Sequence, residues 1–356
     1  MSNNINKSGA PATALNAPQK KRLNVKNISF ILAICLFVLF FVISAVTYYD
    51  RNYLTLQNFI NLFFDNSFLI IAATGMTYVI LTGGIDISIA STMALVSMLS
   101  AYLMNGGVQK KDELFASWSS GAVIPLMIVI GLAVGTFMGI LIQYFNFQPF
   151  IATLAGQFLC RGLIYTFSTR AINIGDPFYV NASAAKIVLS DDAFLPLIVI
   201  FALLLVVISW FVLKYTKFGR TVYAIGGNEQ SAILMGLPVA RTKVLVYTIN
   251  GGFAALAGIV FSIYTLSGNP LQNIGLELDA IASCVIGGTL LTGGFGTVFG
   301  ALFGVLIQGV IQIFIIFNGS LSSWWTKVTF AAILSLFIIM QRLFAMRAEK
   351  NKGMSA

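Results

Sequence analysis

From Ala280 to Thr326 the chain runs 47 residues without one charged side chain. A helix needs only about 20 apolar residues to cross the hydrocarbon core of a bilayer. The stretch must therefore hold two or more tightly packed segments shielded from water. A second charge-free run, the 21 residues Ile28 to Tyr48, makes the same demand near the N-terminus. Only 9% of the residues are charged and 58% are hydrophobic, where soluble domains carry about 25% charge. The reading is an all-α integral membrane protein.

Charge-poor windows place about ten transmembrane helices, near 28–48, 58–82, 87–105, 121–143, 149–168, 194–213, 241–265, 279–292, 296–317 and 324–341. The eighth is short, so a half-helix or re-entrant segment is expected near 279–292. Irregular backbone at that depth is tolerated where protein or a water-filled cavity covers it. The Ile28–Tyr48 run is too long for a signal-peptide core and no small-residue cleavage site follows it, which makes it an uncleaved first span.

Loop charge orients these spans. With the N-terminus inside, fourteen basic residues fall in 1–27, in the 214–243 loop and beyond 341, against five outside (Arg51, Lys110, Lys111, Arg170 and Lys186). Basic residues gather on the cytoplasmic side, so both termini are expected there. The net charge of +9 belongs to this signal and not to nucleic-acid binding. The expected organisation is a disordered basic tail at 1–27, a transmembrane domain at 28–342 with a cytoplasmic loop at 214–243, and a cytoplasmic tail at 343–356.

Much chemistry is excluded by what is missing. The chain has no histidine, which removes Ser-His-Asp and Cys-His catalysis, histidine-ligated metals and imidazole proton relays. Its three cysteines, Cys35, Cys160 and Cys284, lie inside apolar runs and have neither metal spacing nor a disulfide framework. No G-x-x-x-x-G-K-[S/T] loop is present, so ATP, if it drives anything, is hydrolysed by another subunit. Acids within the spans are sparse, which argues against a proton- or sodium-coupled carrier.

Glycines mark packing faces. Gly131, Gly135 and Gly139 recur every four residues in the fourth span, and Gly296, Gly300 and Gly304 do so around the ninth; this spacing lets helix backbones approach in lipid. The stretches "GTFMGILIQ" and "GALFGVLIQ", ending in Gln143 and Gln308, hint at two related halves, as does a "TGG" at both Thr82 and Thr292. The offsets between these pairs do not line up.

A few polar residues stand out against this background. Asp86, in "LTGGIDISIAS", follows Gly83 and Gly84 between two apolar runs. Placed at a turn near the cytoplasmic edge, the glycines close one helix and Asp86 caps the next; a ligand or coupling-ion role is the rival reading. Arg161 is the one basic residue deep in a span, with Gln157 a turn earlier on its face. It is either a structural arginine bonding carbonyls or part of a polar translocation wall. Gln308 and Gln312 form an i, i+4 pair that serves as helix–helix glue or as path lining. Asp65 and Asp279 fall near external helix ends, where capping competes with pore lining. Trp324, Trp325 and Lys327 read as interface anchors, with sugar stacking as the alternative.

The 214–243 loop is too long for a connector. One short helix is expected from Glu229 to Leu237, with Asn228 as its N-cap and Gly236 near its end. Such a glycine-flanked helix suits docking into a groove on a partner.

With these residues in view, the chain resembles the permease subunits of bacterial ABC importers for monosaccharides of the ribose, xylose and galactose type. "GGIDIS" at 83–88, "GRTVYAIGGNEQSAILMG" at 219–236 and "VIGGTLLTGGFGTVFGALFGVLIQG" at 285–309 carry the likeness, which covers about residues 55–342. Three further stretches, at 258–269, 276–294 and 321–327, look like a galactofuranose permease subunit.

The resemblance implies a non-catalytic, multi-pass subunit in the bacterial inner membrane. Gly219, Arg220, Gly226, Gly227, Asn228, Glu229 and Gly236 would form its ATPase-coupling loop. It implies an ABC ATPase that binds ATP and Mg, a second permease subunit, and a periplasmic or lipid-anchored sugar-binding protein, with no cofactor in this chain. Gln157, Arg161, Gln308 and Gln312 are the candidate translocation path. Rival readings are a branched-chain amino-acid or nucleoside permease of the same architecture, a secondary carrier without an ATPase, and a membrane enzyme.

Overall fold

Apolar runs in a bilayer must satisfy their own backbone N–H and C=O groups, and this chain does so as helices. The computed structural model describes residues 25–51, 53–105, 118–190, 192–320, 322 and 324–353. Most of the N-terminal tail, and Lys110 and Lys111 of the charged loop after the third expected span, lie outside the described residues.

The chain begins with α1 (Val25–Thr47), α2 (Leu56–Asp65), α3 (Ser67–Leu81), α4 (Ile89–Met104), α5 (Ser120–Tyr144) and α6 (Pro149–Phe167). An excursion follows, made of β1 (Ile172–Asn173), α7 (Pro177–Ala184), β2 (Lys186–Ser190) and β3 (Ala193–Pro196). Next come α8 (Leu197–Tyr215), α9 (Lys217–Gly227), α10 (Glu229–Leu234), α11 (Val239–Thr265) and β4 (Ser267–Gly268). The chain closes with α12 (Leu276–Ile286), α13 (Val298–Asn318) and α14 (Trp324–Gly353). Among the described residues, α1, α5, α6, α8, α11 and α13 are each long and apolar enough to cross a membrane. The pair α2–α3, bent by 53°, makes a seventh if taken as one span. Large apolar side chains such as Phe158 of α6 and Leu204 of α8 stand exposed on the outside of the bundle.

Helix α11 is the hub, packed by α3, α4 and α5. Its contact with α5 is glycine against glycine. A Cβ on Gly135 would lie 3.0 Å from the Cα of Gly251, and one on Gly251 would lie 2.8 Å from the Cα of Gly135. The four-residue repeat on α5 is thus a packing stripe that any larger side chain would push apart.

Four boundaries differ from the sequence expectation. Helix α12 stops at Ile286 instead of running to 292, and residues 287–297 are not helical. Gly293 and Gly294, with φ of +83° and +72°, take left-handed conformations that no helix interior accepts and that only glycine adopts freely. Gly296 therefore precedes α13, and only Gly300 and Gly304 of that repeat pack on α12, at Gly287 and Ser283. Helix α14 runs past 342 to Gly353, and residues 193–196 form a strand where the start of a span was expected. The helical fold also carries two short antiparallel pairs, β1 with β4 and β2 with β3. The first ties the excursion after α6 to the end of α11 through Ile172 opposite Gly268.

Candidate functional site at the two ends of the bundle

Two glycine turns meet where α9 packs on the bundle. The first closes α3. The N–H of Gly83 bonds the Ile80 carbonyl at 2.9 Å and that of Gly84 bonds the Val79 carbonyl at 3.1 Å. With Gly83 at φ +78° this is the Schellman arrangement, which satisfies the last carbonyls of a helix. The carbonyl of Leu81 remains for a distant partner, the N–H of Gly294, at 2.9 Å. Gly226 of α9 lies against both: a Cβ there would overlap the Leu81 oxygen and the Gly294 nitrogen. The two "TGG" stretches noted in the sequence thus meet in space, with α9 seated on their junction.

Other side chains fix α9 and α10. Tyr223 donates its hydroxyl to the Gly296 carbonyl at 2.8 Å, and burial pushes the phenol up to about 12, so it remains a donor. Thr216 caps α9 by accepting from the Gly219 N–H, and a side chain on Gly219 would strike the Leu213 backbone. Asn228 caps α10 by accepting from the Ser231 N–H at 2.8 Å. Glu229 pairs with Lys243 of α11 at 2.6 Å. Gly236, at φ +73°, ends α10 with open space around it, and Gly227 is also open. Arg220 is exposed and has no acidic partner among the described residues.

The sequence reading expected one helix in this loop and the structure has two. It also passed over three neighbours. Ile233, Leu234 and Met235 are 56%, 88% and 66% exposed, an apolar tip on an otherwise polar unit. Three consecutive large apolar residues in "SAILMG" were the available signal.

Asp86, expected at a turn near the membrane edge as a cap of the next helix, is enclosed by protein, and Ser88 is the residue that directly precedes α4. Asp86 is 2% exposed. Its Oδ1 accepts from the Ser88 N–H at 2.9 Å and the Ser88 hydroxyl at 2.6 Å, in the turn that starts α4. Its Oδ2 accepts from Asn250 Nδ2 at 2.7 Å. Asn250 lies about 17 Å along α11 from Val239 at 1.5 Å per residue. After the Gly83 turn the chain climbs back into the bundle, so α4 starts below the surface. The Tyr247 hydroxyl, buried against Gly84, has no hydrogen-bond partner among the described residues.

The candidate path residues fall into two separate sets. On α6, Arg161 Nη1 donates to the carbonyls of Pro270 and Gln272 at 3.2 and 2.9 Å. Gln157 Nε2 donates to Glu277 Oε1 at 3.1 Å. This face of α6 clamps the segment leading into α12. Gln308 and Gln312 lie on α13 and line a different cleft with Asp65, Asn66 and Asp279. Asp279 there pairs with Lys327, and Asp65 accepts from the Tyr264 hydroxyl at 3.1 Å. The bonds of Arg161 and Gln157 lead to residues 270–277, and Asn273, Ile274 and Leu276 of that segment line the cleft of the α13 glutamines. The role of Glu277 was not legible in the sequence, because an acid at a helix start reads as a cap.

A bundle of apolar helices around a glycine-packed hub, with a separate amphipathic unit on one end, defines a multi-pass helical membrane protein. The family model described as "Branched-chain amino acid transport system / permease component" matches residues 58–339, and the chain belongs to that family. It is similar to the inner membrane ABC transporter permease protein YjfF of Escherichia coli K12, 47% identical over 79% of this chain and 82% of that one. It is also similar to the fructose import permease protein FruG of Bifidobacterium longum, 37% identical over 94% and 96% of the two chains. The ribose import permease protein RbsC of Escherichia coli K12 is 32% identical over 86% and 92%. No solved structure matches the chain. The protein is therefore a non-catalytic ABC-transporter permease subunit of the inner membrane.

Proposed function

We propose that this chain is one membrane half of an ATP-driven importer that carries a monosaccharide, galactofuranose by preference, across the bacterial inner membrane. The carrying observation is the α9–α10 unit, seated on the span ends through Gly226 and presenting the exposed tip Ile233–Met235. An apolar tip of this kind, held by backbone contacts, suits docking into a groove on a partner. On this reading that end is cytoplasmic, both termini lie there, and the chain crosses ten times with α12 as the short eighth crossing. The excess of basic residues in the matching loops supports the orientation.

A separate ABC ATPase binds ATP and Mg and pushes on α9–α10. A second permease subunit completes the pathway, and a periplasmic or lipid-anchored sugar-binding protein delivers the cargo. The relatives named for fructose and ribose import support a sugar. The stretches at 258–269, 276–294 and 321–327 support galactofuranose. The family description names branched-chain amino acids, but a zwitterion needs paired charges along its path and the spans hold few.

The test is copurification with a P-loop ATPase, followed by uptake in proteoliposomes containing permease, ATPase and receptor. Uptake should require ATP. Equal uptake without ATP would overturn the reading in favour of a secondary carrier.

A further inference from the structure

We propose that the cleft between α9 and the start of α11 holds the headgroup of an anionic phospholipid. Such a site needs only a chain that spans a bilayer, whatever its cargo or driving force.

Unmatched charge points to an anion. The unit from Lys214 to Lys243 carries five basic residues and a single acid, Glu229. Lys243 takes that acid. Lys214 lies over the rings of Trp210 and Tyr215, 4.8 and 5.3 Å from their centroids. Lys217, Arg220 and Arg241 are left, all exposed, with no acidic partner among the described residues. All three line one cleft. Like charges gathered around one space repel each other, and an anion between them reverses the sign of that energy. The helix starts add to the same field. Neither α9 nor α11 has an acid in its first turn, and Pro238, the N-cap of α11, gives no side-chain hydrogen bond.

The remaining walls make the anion a lipid. Phe218, Leu237 and Leu245 line the cleft together with the cations. Leu245 is 49% exposed on a helix long and apolar enough to cross a membrane. Four residues beyond Arg241, it lies about 6 Å further along the α11 axis. A phosphodiester held at the cations therefore has its acyl chains running toward an open apolar wall. Arginine binds phosphate through two parallel N–H bonds, and basic pockets between spans at a membrane face take anionic headgroups. A soluble phosphate would use the cations and leave Leu245 bare. The apolar tip Ile233–Met235, offered to a protein partner, contributes no residue to this cleft, so the two surfaces are separate.

The test places the full-length chain, with Leu245→Trp as reporter, in phosphatidylcholine liposomes. A small share of the lipid is either phosphatidylglycerol or phosphatidylcholine brominated near the top of its acyl chains. Quenching beyond that of the parent chain, with its own four tryptophans, reports occupancy. Phosphatidylglycerol should bind about 10- to 100-fold more tightly than phosphatidylcholine. Lys217→Gln and Arg241→Gln should each lower that preference about 5-fold. Lys214→Gln, whose cation lies outside the cleft, should leave it unchanged. If Leu245→Trp does not fold, spin-labelled forms of the two lipids on the unaltered chain read the same preference. No preference for phosphatidylglycerol would overturn the site. An equal loss in all three lysine and arginine variants would make the effect diffuse surface charge and overturn it too. Inorganic phosphate that displaces the lipid better than chloride at equal ionic strength would give the cleft to a soluble anion instead. Quenching that disappears when the ATPase is bound would give it to that protein.

Discussion

Gly226 and Gly227 are neighbours at the end of α9, and the structure treats them oppositely. A methyl group on Gly226 would overlap the Leu81 oxygen and the Gly294 nitrogen, both backbone atoms that cannot rotate aside. A methyl on Gly227 meets nothing within 4 Å. Both substitutions to alanine gain the same helix propensity, about 1 kcal/mol at most, so that gain cancels in their difference. Overpacking at Gly226 costs about 1–3 kcal/mol. Prising Gly294 from Leu81 strands a buried donor and acceptor, for about 1–3 kcal/mol more. Gly226→Ala should therefore be less stable than Gly227→Ala by about 2–6 kcal/mol.

Reversible unfolding of the purified permease in mixed detergent micelles measures this gap. The same displacement should tilt α9 off the end of α3, so in the reconstituted transporter Gly226→Ala should hydrolyse ATP with little uptake while Gly227→Ala behaves as wild type. Equal stability of the two variants, within about 0.5 kcal/mol, would show that α9 does not rest on the glycine junction.

Four further outcomes follow from the geometry. Asp86→Ala strands the Asn250 amide and the Ser88 N–H and should cost about 2–5 kcal/mol; a double-mutant cycle with Asn250→Ala should return about 1–3 kcal/mol of coupling, and simple additivity would dissolve the pair. Leu234→Asp, at an 88% exposed position, should leave stability within about 0.5 kcal/mol yet abolish copurification of the ATPase; retained copurification refutes the docking tip. Arg161→Ala frees the carbonyls of Pro270 and Gln272 and should cost about 1–3 kcal/mol, seen also as faster proteolysis between 269 and 275. Glu229→Gln removes a half-exposed ion pair and should cost under about 1 kcal/mol, a difference that shrinks as salt is raised; a larger, salt-independent loss would mean the pair is more deeply desolvated than its geometry indicates.

The sequence alone settled what kind of solvent surrounds this chain. Forty-seven residues without charge admit no aqueous fold, and the α5 glycine stripe already named the face on which another helix must ride. The Asn228 cap and the Gly236 turn were also legible, since a cap needs only its own side chain and the next three N–H groups. Each of these is decided within a few residues of the signal.

What the tertiary structure decided are the contacts across the chain. That Leu81 bonds Gly294, with Gly226 between them, joins residues far apart in the chain, and a glycine's periodicity says nothing about which backbone will fill its missing side chain. Asp86 read as a rim cap because its local spacing is that of a cap; that its second oxygen is taken by Asn250, on another helix, only the packing shows. Gln157 with Arg161 and Gln308 with Gln312 were grouped on polarity alone; that they reach the 270–277 segment from two different helices, α6 and α13, is visible only in the packing. Period and capping are local and can be read along a chain, whereas depth, partner and shared cavity depend on how helices pack.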